Sequence, residues 1–245
     1  MPVPTQPRFA PYGEQAVVLT FGDAFEPEAH RGVVQAANGL ALRPFPGYRE
    51  AVPTYTTICV FYDVIEVLEA LAASGMRNAG AAAAYDAVCG WIRERIVESG
   101  EASGVGKTVR IPVCYCAVCG PDLPAVAEAA GLAPQEAAAL HSKARYTVAM
   151  IGFLPGFPYL TGLPSALSVP RLDTPRALVP RGSVAIAGGQ SGIYPADSPG
   201  GWRLIGRTLL PLFRTDRDPP SLLEIGDAVR FEPVDHAEAE GAATR

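Results

Sequence analysis

The chain has 245 residues, of which 49% are hydrophobic and 18% charged, with a net charge of −5 at neutral pH. The length suits two domains and the apolar content excludes wholesale disorder. The acidic balance excludes a general nucleic-acid binder, which needs a basic face to neutralise phosphates. No run of about 18 apolar residues occurs, so no membrane span is expected. The opening segment lacks the charged-then-apolar layout of a signal peptide. Five cysteines, an odd number, make no disulfide framework, so a reduced, cytoplasmic protein is expected.

Residues 15–21 (QAVVLTF) form a short β-rich run. Residues 27–42 follow as a helix whose apolar face includes Val33, Val34, Ala37 and Leu40. Two further β-rich runs, 48–52 and 56–62, flank a bend at Pro53. In the helix predicted over 79–98, Tyr85, Val88, Cys89, Ile92 and Ile96 share one stripe. The order β-α-β-β-α, closed by a strand at 107–113, predicts a ferredoxin-like α/β domain over residues 1–100. A Gly/Ser/charged connector at 98–107 marks the boundary. Helical patches at 122–130 and 134–143 then lead to a strand at 146–153. From there to 227–231, short apolar runs alternate with Pro and Gly every eight to twelve residues or so. That spacing predicts an all-β barrel or sandwich over 101–235, and the polar tail 236–245 is expected to fray.

GEASGVGKT (100–108) approaches a phosphate-binding loop but carries Glu101 where the first glycine belongs. It also follows a helix and opens a strand, the reverse of the order that aims a helix N-terminus at phosphate. It reads as a linker. CYCAVCG (114–120) groups Cys114, Cys116 and Cys119. A structural zinc site wants four ligands and the second pair is missing, so no metal site is expected. Cys59 and Cys89 lie in apolar patterns and read as core. Of the histidines, His236 is in the tail, His30 lies near the start of an exposed helix, and His141 ends a helix just before a strand.

GFLPGFPYLTGLP (152–164) holds aromatic rings between Pro and Gly, which makes either rigid apolar walls or a core-plugging loop. AGGQSGIYPADSPGGW (187–202) gathers Gln190, Ser191, Tyr194, Asp197 and Ser198, with Arg181 before it and Arg207 after. Glycine lets backbone N–H groups approach a ligand, consecutive amides form anion-binding nests, and arginine grips carboxylate or phosphate through two nitrogens. The stretch reads either as a small-acid site or as a series of β-turns.

Taken together, MIGFLPGFPYLTGLP, TPRALVPRGSVAIAGGQSGIYPADSPGGWRLIGRT and DPPSLLEIGDAVRF resemble the allophanate hydrolase subunit 1 family, which includes 5-oxoprolinase B subunits and kinase inhibitors. YGEQAVVLTFG and GPDLPAVAEAAGL fit as well, so the resemblance spans residues 9–233. It implies an α+β chain: a small α/β N-terminal domain followed by a cyclophilin-like β-barrel. It implies ATP-dependent opening of 5-oxo-L-proline to L-glutamate by an assembly with A and C subunits, the chain being inactive alone. ATP, with Mg2+, is then a co-substrate of the assembly. The alternatives are a regulatory protein inhibiting a sensor histidine kinase, and a subunit of an allophanate hydrolase or biotin-dependent carboxyltransferase. The chain departs from the family at 116–119, where Cys116, Ala117, Val118 and Cys119 stand in place of glycines and an acidic residue.

Opening a lactam that bears a carboxylate needs a cation clamp, donors for the developing oxyanion, and exclusion of bulk water. On this resemblance Arg181 and Arg207 are the expected clamp. Gln190, Ser198 and the amides near Gly188, Gly189, Gly200 and Gly201 are the expected donors. Phe153, Phe157, Tyr159, Tyr194 and Trp202 are expected to wall the substrate, and His141 to transfer a proton.

Overall fold

The alternation of Val17 and Leu19 with outward neighbours pairs β1 (Arg8–Pro11) and β2 (Ala16–Thr20) as an antiparallel hairpin with its apolar face inward. α1 (Pro27–Leu42) opens on a proline, which tolerates the first helical turn, and buries Val33, Ala36 and Leu40 along one face. His30 is buried on this helix, with Nδ1 3.1 Å from the Tyr55 carbonyl, and does not lie on an exposed face. β3 (Tyr48–Pro53) and β4 (Thr57–Tyr62) form the second hairpin, and Ile58, Val60 and Tyr62 turn inward. α2 (Val64–Ala73) is a helix that the periodicity did not predict. Asp63 caps it, its carboxylate accepting from the Ile65 and Glu66 amides at 2.9 and 3.2 Å. α3 (Ala81–Glu98) then buries Ala84, Val88, Cys89 and Ile92 in the same core.

The sheet order is β1-β2-β4-β3, antiparallel throughout. The strand expected to complete a ferredoxin-like sheet does form, as β5 (Thr108–Val113), but it pairs elsewhere: all six of its residues register in parallel with β13 (Ala228–Pro233) in the second unit. The edge beside β2 is held by β1 instead. This computed structural model describes residues 6–98 and 106–235, and the chain divides into units Met1–Gly104 and Val105–Arg245. Most of the connector at 98–107 and the tail at 236–245 lie outside the described residues.

The second unit carries α4 (Leu123–Ala129) and α5 (Pro134–Lys143), then the strands β6 (Tyr146–Ile151), β7 (Pro158–Thr161), β8 (Arg176–Val179), β9 (Ser183–Ala187), β10 (Gln190–Ile193), β11 (Ser198–Gly200) and β12 (Arg203–Arg207). Seven strands form one sheet in the order β12-β9-β10-β7-β6-β13-β5, and β8 pairs with β11 separately. Cys114, just past β5, and Arg207, the last residue of β12, exchange backbone hydrogen bonds of 2.9 Å each way. That bridge joins the two outermost strands, so the sheet curls into a nearly closed barrel, in keeping with a cyclophilin-like fold. Every residue of β9 is buried, because both of its faces are covered. Val184 and Ile186 point into the main core with Ile111, Val148 and Ile193, while Ala185 and Ala187 point to a second, aromatic cluster.

Candidate functional site

The aromatic cluster sits on the small-residue face of β9 and its neighbours. Leu204, Ala185, Gly192 and Tyr159 lie side by side across β12, β9, β10 and β7. Small residues at the middle of that row leave space for rings. Phe157 lies 5.1 Å from Tyr194, 4.9 Å from Tyr159 and 5.7 Å from Trp202, centre to centre, in edge or tilted geometry. A Cβ on Gly200 would collide with the Tyr194 hydroxyl, so that position, too, needs glycine. Phe153 reaches Phe157 at 5.6 Å but is 63% exposed and has φ of 68°, a backbone conformation that side chains rarely adopt. All five rings therefore meet, but Phe157, Tyr194 and Trp202 are buried, Tyr159 is half-buried and Phe153 lies at the solvent edge.

The cations at this cluster are Arg171 and Arg176. The Arg171 guanidinium lies 5.8 Å from the centre of the Trp202 ring. Burial raises the phenols of Tyr159 and Tyr194, and Arg171 opposes that rise at both, joined at Tyr194 by the Trp202 amide. Arg176 donates to Asp122 Oδ1 at 2.7 Å, and Asp122 Oδ2 accepts from the Leu204 amide at 2.7 Å. Sequence reasoning missed both arginines. They flank prolines in VPRLDTPRALVP, and that Pro-Arg spacing was the available signal.

Arg181 and Arg207 are placed elsewhere. Arg207 Nε donates to the Arg181 carbonyl at 3.0 Å, and Arg207 pairs with Ser183 at the start of β9. Gly188, Gly189 and Gln190 form the turn at the other end of that strand. Four residues of extended chain separate the two ends by about 13 Å. The structure therefore places the Arg207 guanidinium, on the Arg181 carbonyl, at the opposite end of β9 from the turn, while the Arg181 amide donates to Asp197 Oδ1 at 2.6 Å. The Gly188 amide donates to the Val169 carbonyl at 2.7 Å and is not an oxyanion donor. Gly189 is exposed, and Gln190, opposite Ala187, shares the face that carries Gly192. The Gly201 carbonyl accepts from Leu172. Ser198 is buried opposite Val179, its hydroxyl 3.2 Å from the Pro199 carbonyl.

His141 is fully buried in the barrel core, stacked on Phe231 at 4.7 Å. Ser191 Oγ donates to the Ala185 carbonyl, so it accepts from His141 Nε2–H, 3.0 Å away. Nδ1 then accepts from the Tyr115 hydroxyl at 2.8 Å. The network assigns one neutral tautomer, and burial holds the imidazole down at about 3. A ring that stays neutral and enclosed is a structural hub, not the proton-transfer group expected from its place at a helix end.

Outside the aromatic cluster, Cys114, Cys116 and Cys119 converge, their sulfurs all within 4.8 Å of one another. The Cys116 thiol is brought down to about 7 by the Cys119 amide first, with the Cys114 and Cys119 thiols and the Val118 amide adding to it. Burial pushes Cys119 up to about 12 and raises Cys114.

A nearly closed barrel with an aromatic cluster on one face of its sheet, following a separate four-stranded α/β unit, defines a two-unit α+β protein. The chain belongs to the family "Carboxyltransferase domain, subdomain C and D", whose model matches residues 7–223. It is 41% identical to the 5-oxoprolinase B subunit of Bacillus subtilis (strain 168), over 89% of each chain. It is 39% identical to the protein of the same name from Escherichia coli O157:H7, over 90% of this chain and 93% of that one. Among solved structures it resembles TTHA0988 with a TM-score of 0.72 and 36% identity, covering 90% of this chain but spanning only 40% of that one. Among the described residues no helix is long and apolar enough to cross a membrane.

Proposed function

We propose that the chain is the B component of an ATP-dependent 5-oxoprolinase assembly, which opens 5-oxo-L-proline to L-glutamate together with A and C subunits. The observation that carries this reading is the similarity, across nearly the full length of both chains, to proteins named as 5-oxoprolinase B subunits. The aromatic face supports it on physical grounds. The 5-oxoproline ring is a small, flat body with two apolar CH2 groups, a polar amide and a carboxylate at its edge. Half-buried Tyr159 and exposed Phe153 supply apolar surface for such a ring, backed by the buried Phe157 and Trp202, and Arg171, over Trp202, supplies the cation for its carboxylate. Arg176 is held by Asp122 and keeps the 169–176 segment against this face.

ATP, with Mg2+, weakens the lactam amide by phosphorylating its oxygen. In this reading both belong to the assembly as a whole, because the stretch nearest to a phosphate loop lacks its first glycine. The contributions assigned to this chain are binding, orientation and exclusion of water. They need partner subunits to complete the reaction, so the isolated chain is inactive in this reading.

Co-expression with candidate A and C subunits, followed by an assay for glutamate that depends on both ATP and 5-oxoproline, tests it. A well-formed assembly that makes no glutamate overturns it. The family match favours one second reading, a component of a carboxyltransferase-type enzyme. It would show instead as activity that depends on biotin.

A further inference from the structure

The sequence of Cys114, Cys116 and Cys119 is too short for a four-ligand zinc motif, yet the fold brings the three sulfurs together. Cys114 follows the end of β5 and is fixed by its two-way bridge to Arg207. Cys116 and Cys119 bracket a tight turn closed by the Cys119 and Gly120 amides, which donate to the Cys116 carbonyl at 3.0 and 2.8 Å. The same turn aims the Val118 and Cys119 amides at the Cys116 sulfur. Amides directed at the first sulfur of a Cys-x-x-Cys turn stabilise negative charge there, as a metal-bound thiolate requires.

The surroundings divide into two sides. Cys114 and Cys119 are buried against Leu209 and Val234, an apolar backing that keeps water away. Cys116 is exposed, and Val118 beside it is 84% exposed. Three ligands with a backed inner side and an open outer side leave one coordination position to solvent.

We propose that Cys114, Cys116 and Cys119 form a three-thiolate site for a soft, thiophilic metal ion, Zn2+ being the probe, with water in the fourth position. Zinc–sulfur bonds of about 2.3 Å place tetrahedral sulfurs about 3.8 Å apart. The observed separations, all within 4.8 Å, reach that by small side-chain rotations. Each thiol that binds gives its proton to solvent, and no oxidant or reductant is involved. The site is independent of the lactam reading, because it shares no residue with the aromatic face.

The test uses the full chain, reduced and purified without oxygen, titrated with Zn2+ against a chromophoric chelator. One Zn2+ per chain is expected. Cys116→Ser should weaken binding by more than about a hundredfold, beyond what loss of a supporting contact gives. Cys116 is exposed, so that variant folds, and Cys59→Ser, outside the cluster, should bind as the parent does. Co2+ in place of Zn2+ should give sulfur-to-metal charge-transfer absorption that is absent in Cys119→Ser. Zinc bound equally by the parent and by Cys116→Ser overturns the proposal. So does a reduced parent that fails to compete with the chelator.

Discussion

Gly192 and Phe157 compete for the same space: a Cβ on Gly192 would lie 2.9 Å from the tip of the Phe157 ring and 3.0 Å from that of Trp202. The glycine is there for clearance, since its backbone is not in the left-handed region. Gly192→Val should therefore push both rings off the β10 face and cost about 1–3 kcal/mol, the usual range for overpacking. Gly189→Ala, where nothing lies within 4 Å, should stay within about 0.5 kcal/mol of the parent. Urea unfolding gives the stabilities, and near-ultraviolet circular dichroism reports the ring packing. Equal midpoints for Gly192→Val and Gly189→Ala would remove the clearance argument.

Asp122 ties two elements to the aromatic face. One oxygen holds Arg176 and the other holds the Leu204 amide, and the side chain is 11% exposed. Asp122→Ala leaves a part-buried guanidinium and a buried amide without their acceptor, which should cost about 3 kcal/mol. Asp122→Asn keeps an acceptor for Leu204 and should cost less. Adding Arg176→Leu to Asp122→Ala should restore part of the loss. A double variant no more stable than Asp122→Ala alone would show that the ion pair is not what the carboxylate serves.

The elements with a strong period were legible in the sequence. Leu40 and Ile92 sit in their helices on the stripes that the 3.6-residue repeat predicts, and Ile58 and Val60 in a strand. The meeting of the rings was legible as well, because Phe157, Tyr159, Tyr194 and Trp202 lie in short Gly/Pro-rich stretches that can only be turns or a ring cluster; the burial of Phe157, Tyr194 and Trp202 was not. Three other features were not legible. α2 is ten residues long and depends on its Asp63 cap, a signal easily passed over. The pairing of β5 with β13 joins residues more than a hundred positions apart, and no local pattern encodes such a choice. The division of the arginines followed from strand direction: Arg207 and Gln190 are near in sequence but lie at opposite ends of β9.

That division gives a kinetic prediction for the reconstituted assembly. Arg171→Gln should lower 5-oxoproline turnover at low substrate by at least about tenfold, near 1.4 kcal/mol of lost stabilisation. Most of the loss should appear as a raised KM, because a carboxylate clamp binds the ground state and the transition state alike. Arg207→Gln should change the same quantity less than about threefold, since its guanidinium is directed at the Arg181 carbonyl. The reverse pattern, with Arg207 essential and Arg171 dispensable, would move the site to the other end of β9.

His141 makes the fold sensitive to acid in a way that can be isolated. Its imidazole is held at about 3 in the native barrel by burial, against 6.5 as the ordinary value. Above pH 6.5 the ring is neutral in both native and unfolded chains and contributes no slope. Below it, the unfolded chain takes up a proton that the native chain refuses, so stability falls as pH drops towards the native value. One proton corresponds to about 1.4 kcal/mol per pH unit. His141→Gln keeps an amide donor and acceptor for Ser191 and Tyr115 but has nothing to titrate. It should be less stable than the parent at about pH 7, and its stability should fall more slowly between about pH 6 and 4. Carboxylates titrate in both proteins and cancel in the difference, which urea unfolding at stepped pH measures. Parallel curves would mean that burial does not hold the ring neutral; a charged ring donates from both nitrogens, so Tyr115 would become the acceptor from Nδ1 while Nε2 still donates to Ser191.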